Sequence, residues 1–149
     1  MTEYTRKEIS SITGVSSSSV QVWTDRGVII PHIENPTGKG TTRLYDTENA
    51  IEILLIKEMQ KYGIPLLKIK SILAHKKTSF IRAWQAANKA HGLNNFKLYL
   101  IIHNSDDESE IRCYALSILA KEIELKINME RQDNALVIDM TEIFKKTMD

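Results

Sequence analysis

Residues 5–27 read TRKEISSITGVSSSSVQVWTDRG, and the fold of the first half of the chain follows from this stretch. Thr5 stands three residues before Glu8, the spacing of a capping box, so a first short helix is predicted to begin here. The helix is expected to run to Thr13 and to end at Gly14, since glycine readily takes the left-handed conformation found after helices.

A second helix is predicted directly after this turn. Ser16 or Ser17 is placed to cap it, and it extends to about Arg26. Val20 and Trp23 are three residues apart and share one face, so Trp23 is expected in the core. Two short helices joined by a glycine-containing turn form a helix-turn-helix unit, whose second helix enters the major groove of DNA.

A β-hairpin is predicted next. An apolar run at 28–30 leads into a loop at 35–40 that holds one proline and two glycines, and 41–45 returns as a second strand. Such a wing can lie along the DNA backbone, with Lys39 and Arg43 supplying positive charge. A nucleotide-phosphate loop is the alternative, but the pattern GxxxxGK[ST] is absent.

Two more helices complete the predicted first half. Asp46 or Thr47 is placed to cap a third helix that extends to about Tyr62 and carries a broad apolar stripe, as expected of the core of this domain. A short fourth helix over 66–73 follows Pro65, with its lysines pointing outward.

Four stretches with matching spacing carry a resemblance: Tyr4-Thr5 with Glu8-Ile9, Thr13 to Ser16, Val20 to Ile29, and Arg43 to Asp46 leading to Tyr62 to Leu66. Together they resemble the DNA-binding domain of the MerR family, over about residues 4–73. The resemblance implies that the second helix contacts bases and phosphates and that the Arg-x-Tyr of the wing grips the DNA backbone. Arg43 and Tyr45 are therefore expected to contact phosphate.

The second helix departs from the family pattern, because serines, Gln21 and Val22 stand where many members have arginine and paired aromatic residues. Glutamine pairs with adenine through N6 and N7, and valine fits a thymine methyl, so a preference for sites containing A·T is one hypothesis. The residues assigned to DNA contact are Thr5, Arg6, Ser17, Ser18, Ser19, Gln21, Val22, Arg26, Lys39, Thr42, Arg43 and Tyr45.

Structural alternatives stay open for several of these residues. The serines at 17–19 form a capping and turn cluster in the simplest interpretation. In the structural alternative for Tyr45, this residue closes the hairpin against the third helix and its hydroxyl lies in water. Arg26, near the end of its helix, would complement the helix dipole.

The second half is predicted to begin with a linker helix that Gly92 stops. Phe80 and Trp84 lie on one face of it, where packing is favoured over an effector pocket. Alternation predicts strands at 96–103 and 122–129, and a short apolar strand is predicted at 135–138. Residues 111–120 have helical spacing, with a strand as the alternative, and Thr141 is placed to cap a last helix.

The resulting fold class is a mainly α winged helix-turn-helix of four helices and a β-hairpin wing, followed by a small α+β module. The domains are residues 1–77, which bind DNA, a linker helix at 78–95, and 96–149, a dimerisation or effector module. The last of these regions has only about 55 residues, which is marginal for independent stability. Pairing with a second copy of the chain, and hence a homodimer, is therefore expected. A small-molecule effector is left open.

The distribution of charged residues, cysteine and histidine limits the classes of function that the sequence supports. Lys and Arg outnumber Asp and Glu by 11 to 8 in residues 1–77 and are outnumbered 9 to 11 afterwards, which favours a DNA-facing surface in the first half. One cysteine and scattered histidines predict no cofactor, no metal site and no catalysis, and no membrane segment is expected. A cytoplasmic, nucleoid-associated transcription regulator on double-stranded DNA is predicted. The alternatives are an architectural, excisionase-like or chromosome-anchoring protein, and an interaction module that has lost DNA binding.

Overall fold

The computed structural model describes residues 2–33, 42–92, 95–103, 113–119 and 135–148. The chain divides into two compact units, residues 1–74 with 147–149 (unit 1) and residues 75–146 (unit 2). Within the described residues the order of elements is α1 (Arg6–Thr13), α2 (Ser17–Asp25), α3 (Thr47–Lys61), α4 (Leu66–His91), β1 (Phe96–His103), β2 (Cys113–Leu119), β3 (Ala135–Asp139) and α5 (Thr141–Met148).

Helix α1 begins and ends as the sequence predicts. The backbone N–H of Glu8 donates to the Thr5 hydroxyl at 3.3 Å, and the N–H of Thr5 donates to the Glu8 carboxylate at 2.7 Å. The bond from the Thr5 N–H to the Glu8 carboxylate, with a second from the Thr5 hydroxyl at 2.9 Å, holds the pKa of the Glu8 carboxyl below its ordinary range. Gly14 takes φ +70° and donates its N–H to the carbonyl of Ser10, which closes the helix.

Helix α2 is also confirmed, ending one residue before the predicted end. The Ser16 side chain caps it by accepting from the N–H of Ser19 at 3.2 Å. Its buried residues are Val20, Trp23 and Thr24. Trp23 is 6% exposed, which confirms its expected place in the core.

The apolar run at 28–30 was predicted as a strand, and this prediction is wrong. Gly27, at φ +70°, donates to the carbonyl of Thr24, and Val28 donates to the carbonyl of Trp23 at 2.9 Å. This pair of hydrogen bonds is a Schellman motif, so the N–H of Val28 closes α2 instead of entering a ladder. Strand-like pairing begins later, where Ile33 and Leu44 exchange two hydrogen bonds of 3.0 Å. The predicted wing loop at 35–40 lies outside the described residues.

Helix α3 forms the core of unit 1, as predicted. Asp46 caps it by accepting from the N–H of Asn49 at 2.9 Å. Ile51, Leu55 and Met59 are fully buried along its length.

The sequence predicted two helices where the structure has one, α4, of 26 residues. The predicted break lay between a fourth helix ending at Leu73 and a linker helix beginning near Ser79. No glycine or proline occurs in that interval, so nothing in the backbone interrupts the helical hydrogen bonds. The helix ends before Gly92, where the sequence placed its end.

In the described part of unit 2, three strands form an antiparallel sheet in the order β2-β1-β3. The bounds of β1 are those predicted, and Leu98 and Leu100 on its apolar face are fully buried. The open choice between helix and strand at 111–120 resolves as strand β2. Strand β3 is confirmed, whereas the predicted strand at 122–129 lies outside the described residues.

An aromatic cluster forms the centre of unit 2. The ring of Trp84 lies 5.0 Å from that of Phe96 and 5.3 Å from that of Phe144, stacked on the latter. These three side chains and Phe80 are at most 2% exposed. Packing is therefore confirmed as the role of Phe80 and Trp84.

Thr141 is not the cap that the sequence predicted but the first residue of α5. Its N–H and its hydroxyl both donate to the Asp139 carboxylate, at 2.9 and 2.6 Å. The same hydroxyl accepts the N–H of Leu98 at 2.9 Å, so a side chain continues the hydrogen bonding of β1 beyond the end of β3.

No helix in the described part of the chain is both long and apolar enough to cross a membrane.

Candidate nucleic-acid interface

Helix α2 has two distinct faces. One buries Val20 and Trp23 in unit 1. Ser18, Gln21 and Asp25 follow at spacings of three and four on the other face and are exposed together with Val22. We call these four residues the exposed stripe of α2.

The first turn of α2 carries the predicted serines. The hydroxyl of Ser16 lies 2.9 Å from that of Ser19 and 3.2 Å from that of Ser18. Ser18 is exposed, whereas Ser17 and Ser19 are half-buried. The capping role therefore falls to Ser16, and base contact by the three residues after it stays a prediction.

Arg6, the first residue of α1, reaches across to the exposed stripe. Its Nη1 donates to Oε1 of Gln21 at 2.5 Å, and both side chains are exposed. Thr5, which precedes it, is half-buried and engaged with Glu8. The structure thus brings together two predicted contact residues that are 15 positions apart in the sequence.

Arg43 reaches the same stripe from the returning arm of the predicted wing. Its Nη1 lies 2.7 Å from Oδ1 of Asp25, and the two side chains are 38% and 49% exposed. A pair this exposed adds at most about 1 kcal/mol to stability, so its main effect is on where the guanidinium sits. Thr42 beside it is exposed, and Lys39 lies outside the described residues.

Tyr45 is placed differently from the other predicted contacts. Its side chain is 1% exposed, and its hydroxyl lies 3.0 Å from that of the buried Thr24. The alternative that left this hydroxyl in water is therefore wrong. The backbone of Tyr45 exchanges two hydrogen bonds with Tyr4, at 2.7 and 2.8 Å, so the residue fixes the returning arm within unit 1.

Arg26 is exposed, and the sequence offered it as the cation at the end of α2. The structure brings a second cation to this end, because Nζ of Lys70 donates to the Arg26 carbonyl at 3.3 Å. The sequence analysis placed Lys70 simply outward. Because this hydrogen bond joins residues 44 positions apart in the sequence, no local sequence pattern indicates it.

Asn49 is a residue that the sequence analysis missed. It is 3% exposed, its Oδ1 accepts the N–H groups of His32 and Asp46 at 3.1 Å, and its Nδ2 donates to the Ile30 carbonyl at 2.9 Å. One amide thus fixes the chain entering the predicted wing to the start of α3. The signal was present as Asp46 and Asn49 at capping-box spacing.

His32 lies near two carboxylates at the same place. Its Nδ1 lies 3.3 Å from Oδ2 of Asp46, and its Nε2 lies 3.8 Å from Oε1 of Glu3. Within the described residues no group of three or more His, Cys, Asp or Glu side chains is arranged to hold a metal ion.

Comparison with known families matches residues 4–76 to the model described as MerR HTH family regulatory protein. The match covers α1, α2, α3 and the beginning of α4, and so includes Arg6, the exposed stripe and Arg43. A comparison with curated proteins gave no match. Through residues 4–76 the chain belongs to the MerR helix-turn-helix family of regulatory proteins, and this membership indicates DNA-binding transcription regulation.

Proposed function

We propose that this protein is a sequence-specific DNA-binding transcription regulator that acts as a homodimer, with α2 in the major groove and the wing on the phosphate backbone. One observation carries the proposal. Arg6 and Arg43 come from different elements, and each is hydrogen-bonded to a residue of the exposed stripe of α2. One guanidinium is therefore hydrogen-bonded to the middle of the stripe, at Gln21, and the other to its end, at Asp25.

This arrangement suits DNA in two ways. Phosphate contacts by cations fix the register of a protein on the duplex, while side chains on a helix read base edges. The stripe offers a hydroxyl, an amide and a methyl-bearing side chain at Ser18, Gln21 and Val22. Arg26 and Arg43 place positive charge near the C-terminal end of the same helix.

Asp25 does not oppose this proposal. Its carboxylate holds the Arg43 guanidinium at 2.7 Å while that side chain stays partly exposed. A phosphate approaching the stripe meets an arginine that is already oriented, as in other charge-assisted contacts to anions. Phosphate contact is assigned to Arg43 rather than to the buried Tyr45.

The test is selection of bound duplexes from a random pool by the full chain, followed by salt titration of the selected site. Arg43→Ala is expected to weaken binding to all sequences and to reduce the slope of log affinity against log salt by about one. Gln21→Ala is expected to change the preferred sequence. Equal losses on every sequence for both variants would contradict the assignment, and no binding at low salt would favour an interaction module.

The homodimer rests on the sheet of unit 2. Among the described strands, β2 and β3 each pair on one side only, and an edge strand readily pairs with another chain. A dimer would present two copies of α2 to half-sites about 34–36 Å apart. Sedimentation velocity at micromolar concentration is expected to give a dimer, and a monomer alone would argue against it.

A further inference from the structure

We propose that Arg6 and Gln21 act as one base-reading unit that selects guanine in the major groove, with Arg6 a specificity-determining residue. The inference rests on the proposed function and deepens it. It replaces the sequence-based hypothesis that Gln21 reads adenine, because that hypothesis treated the amide as unengaged. In the structure the Gln21 amide already accepts a hydrogen bond from Arg6.

The chemistry of the pair fixes which end of the amide is engaged. A guanidinium has donors and no acceptor, so the Gln21 atom that lies 2.5 Å from Nη1 of Arg6 must be the oxygen. The Nε2 end of the amide therefore points away from Arg6.

When Arg6 and Gln21 are bonded in this way, the pair presents mainly hydrogen-bond donors. Gln21 offers its amide N–H groups, the exposed Arg6 guanidinium has further N–H groups, and one lone pair of Oε1 is already used. The unit also carries the positive charge of Arg6. It therefore matches a base edge that carries two adjacent hydrogen-bond acceptors.

Guanine and adenine differ in this respect. Guanine presents two acceptors in the major groove, N7 and O6, whereas adenine presents the N7 acceptor beside the N6 donor. Reading adenine would place its N6 donor beside the donors of Arg6, with only the second lone pair of Oε1 to accept from it. Guanine needs only donors, so it matches the unit better.

The position of Arg6 is set by its own helix. Arg6 is the first residue of α1, directly after Thr5, and the capping box with Glu8 fixes the backbone at this point. Arg6 and Gln21 both remain exposed while bonded to each other. A base edge facing α2 therefore has access to both side chains.

The experiment uses the full chain and the site selected from a random duplex pool. At the base pair whose identity depends on Gln21, replacing guanine by 7-deazaguanine removes the N7 acceptor and is expected to weaken binding about tenfold. Arg6→Ala is expected to lose the discrimination between guanine and adenine at that base pair. Gln21→Met, which keeps the length of the side chain without polar groups, is expected to lose it at the same base pair, with no further loss in the double variant.

Lys7→Ala is the matched control, because it removes one exposed cation from the same turn of α1 and should leave the base preference unchanged. Three results would overturn the proposal: adenine preferred at the Gln21-dependent base pair, effects of Arg6→Ala and Gln21→Met at different base pairs, or equal weakening by Arg6→Ala on all sequences. Failure of the wild type to bind any duplex at low salt would instead show that the proposed function itself is wrong, and the inference would fall with it.

Discussion

Units 1 and 2 both have an apolar core, but they differ in the interactions that supplement it. In unit 1, short helices are fixed by polar side chains that bond to distant backbone or to each other, such as Asn49 and the pair of Thr24 and Tyr45. In unit 2, a backbone ladder pairs three strands, and the aromatic cluster around Trp84 packs inside. The family match ends at residue 76, close to the start of unit 2 at residue 75. The matched unit is thus one in which buried polar side chains join separate segments around the apolar core.

Substitutions should therefore act differently at the two kinds of position. Removing a buried polar partner leaves donors and acceptors unsatisfied, whereas removing part of an apolar side chain costs stability in proportion to the volume removed. Four variants test this contrast.

Trp84→Ala should have the largest effect. Removing the ring that contacts Phe96 and Phe144 is expected to destabilise unit 2 by about 3–5 kcal/mol. Trp23 then remains the only tryptophan and reports on unit 1 by its fluorescence. In urea, the circular dichroism of the variant should change at lower concentration than its fluorescence. Coincident transitions would contradict a loss of stability confined to unit 2. Gln85→Ala, on the exposed side of α4, is the control.

Asn49→Ala tests the polar fixation of unit 1. The N–H groups of His32 and Asp46 and the carbonyl of Ile30 would all lose a partner, and a loss of about 2–4 kcal/mol is expected. Urea unfolding followed by Trp23 fluorescence measures it. Lys57→Ala, on the exposed side of α3, should stay within about 0.5 kcal/mol of wild type. A similar value for both variants would show that Asn49 does not fix the unit.

Thr141→Val asks whether one polar residue also matters in unit 2. The substitution keeps the shape of the side chain but leaves the Leu98 N–H without its acceptor, so a loss of about 1–3 kcal/mol is expected. Thr141→Ser retains the hydroxyl and should lose less in the same urea titration. Greater damage from serine than from valine would point to packing of the methyl group instead.

Glu8→Gln should have the smallest effect, and its signature is pH dependence. The hydrogen bonds from Thr5 lower the pKa of the Glu8 carboxyl in the folded state, so its contribution is fully present above the unfolded pKa. It is lost as the pH falls through the folded pKa. The stability difference between wild type and variant should therefore shrink between about pH 6 and pH 3. A difference that stays constant over this range would contradict the capping-box account.

Local chemistry made much of the fold predictable. The cap at Thr5 and the glycine at Gly14 bounded α1, and alternation over residues 96–103 gave β1 with its exact ends. Each of these signals acts within a few residues, so the sequence alone contains it. The strand predicted at 28–30 failed because a helix-ending motif used the N–H of Val28 first.

Contacts over long distances in the sequence were not predictable in the same way. The sequence analysis named Arg6, Gln21 and Arg43, but not that the two arginines would bond to α2 from other elements. The sequence also led to the expectation that the Tyr45 hydroxyl contacts phosphate or lies in water, whereas this hydroxyl lies against Thr24 in the core. Which partner a long side chain chooses depends on the packed arrangement, and no spacing rule expresses that.

The attachment of Arg6 and Arg43 to α2 has a consequence for the kinetics of recognition. An arginine side chain immobilised on binding loses up to about 2 kcal/mol of rotamer entropy. Here much of that ordering has already occurred on folding, since each guanidinium is held by a side chain of α2 before DNA arrives. If these arginines contact DNA as proposed, the protein is preorganised for it, and loosening either tether should shorten the residence time on a correct site more than it slows the first encounter.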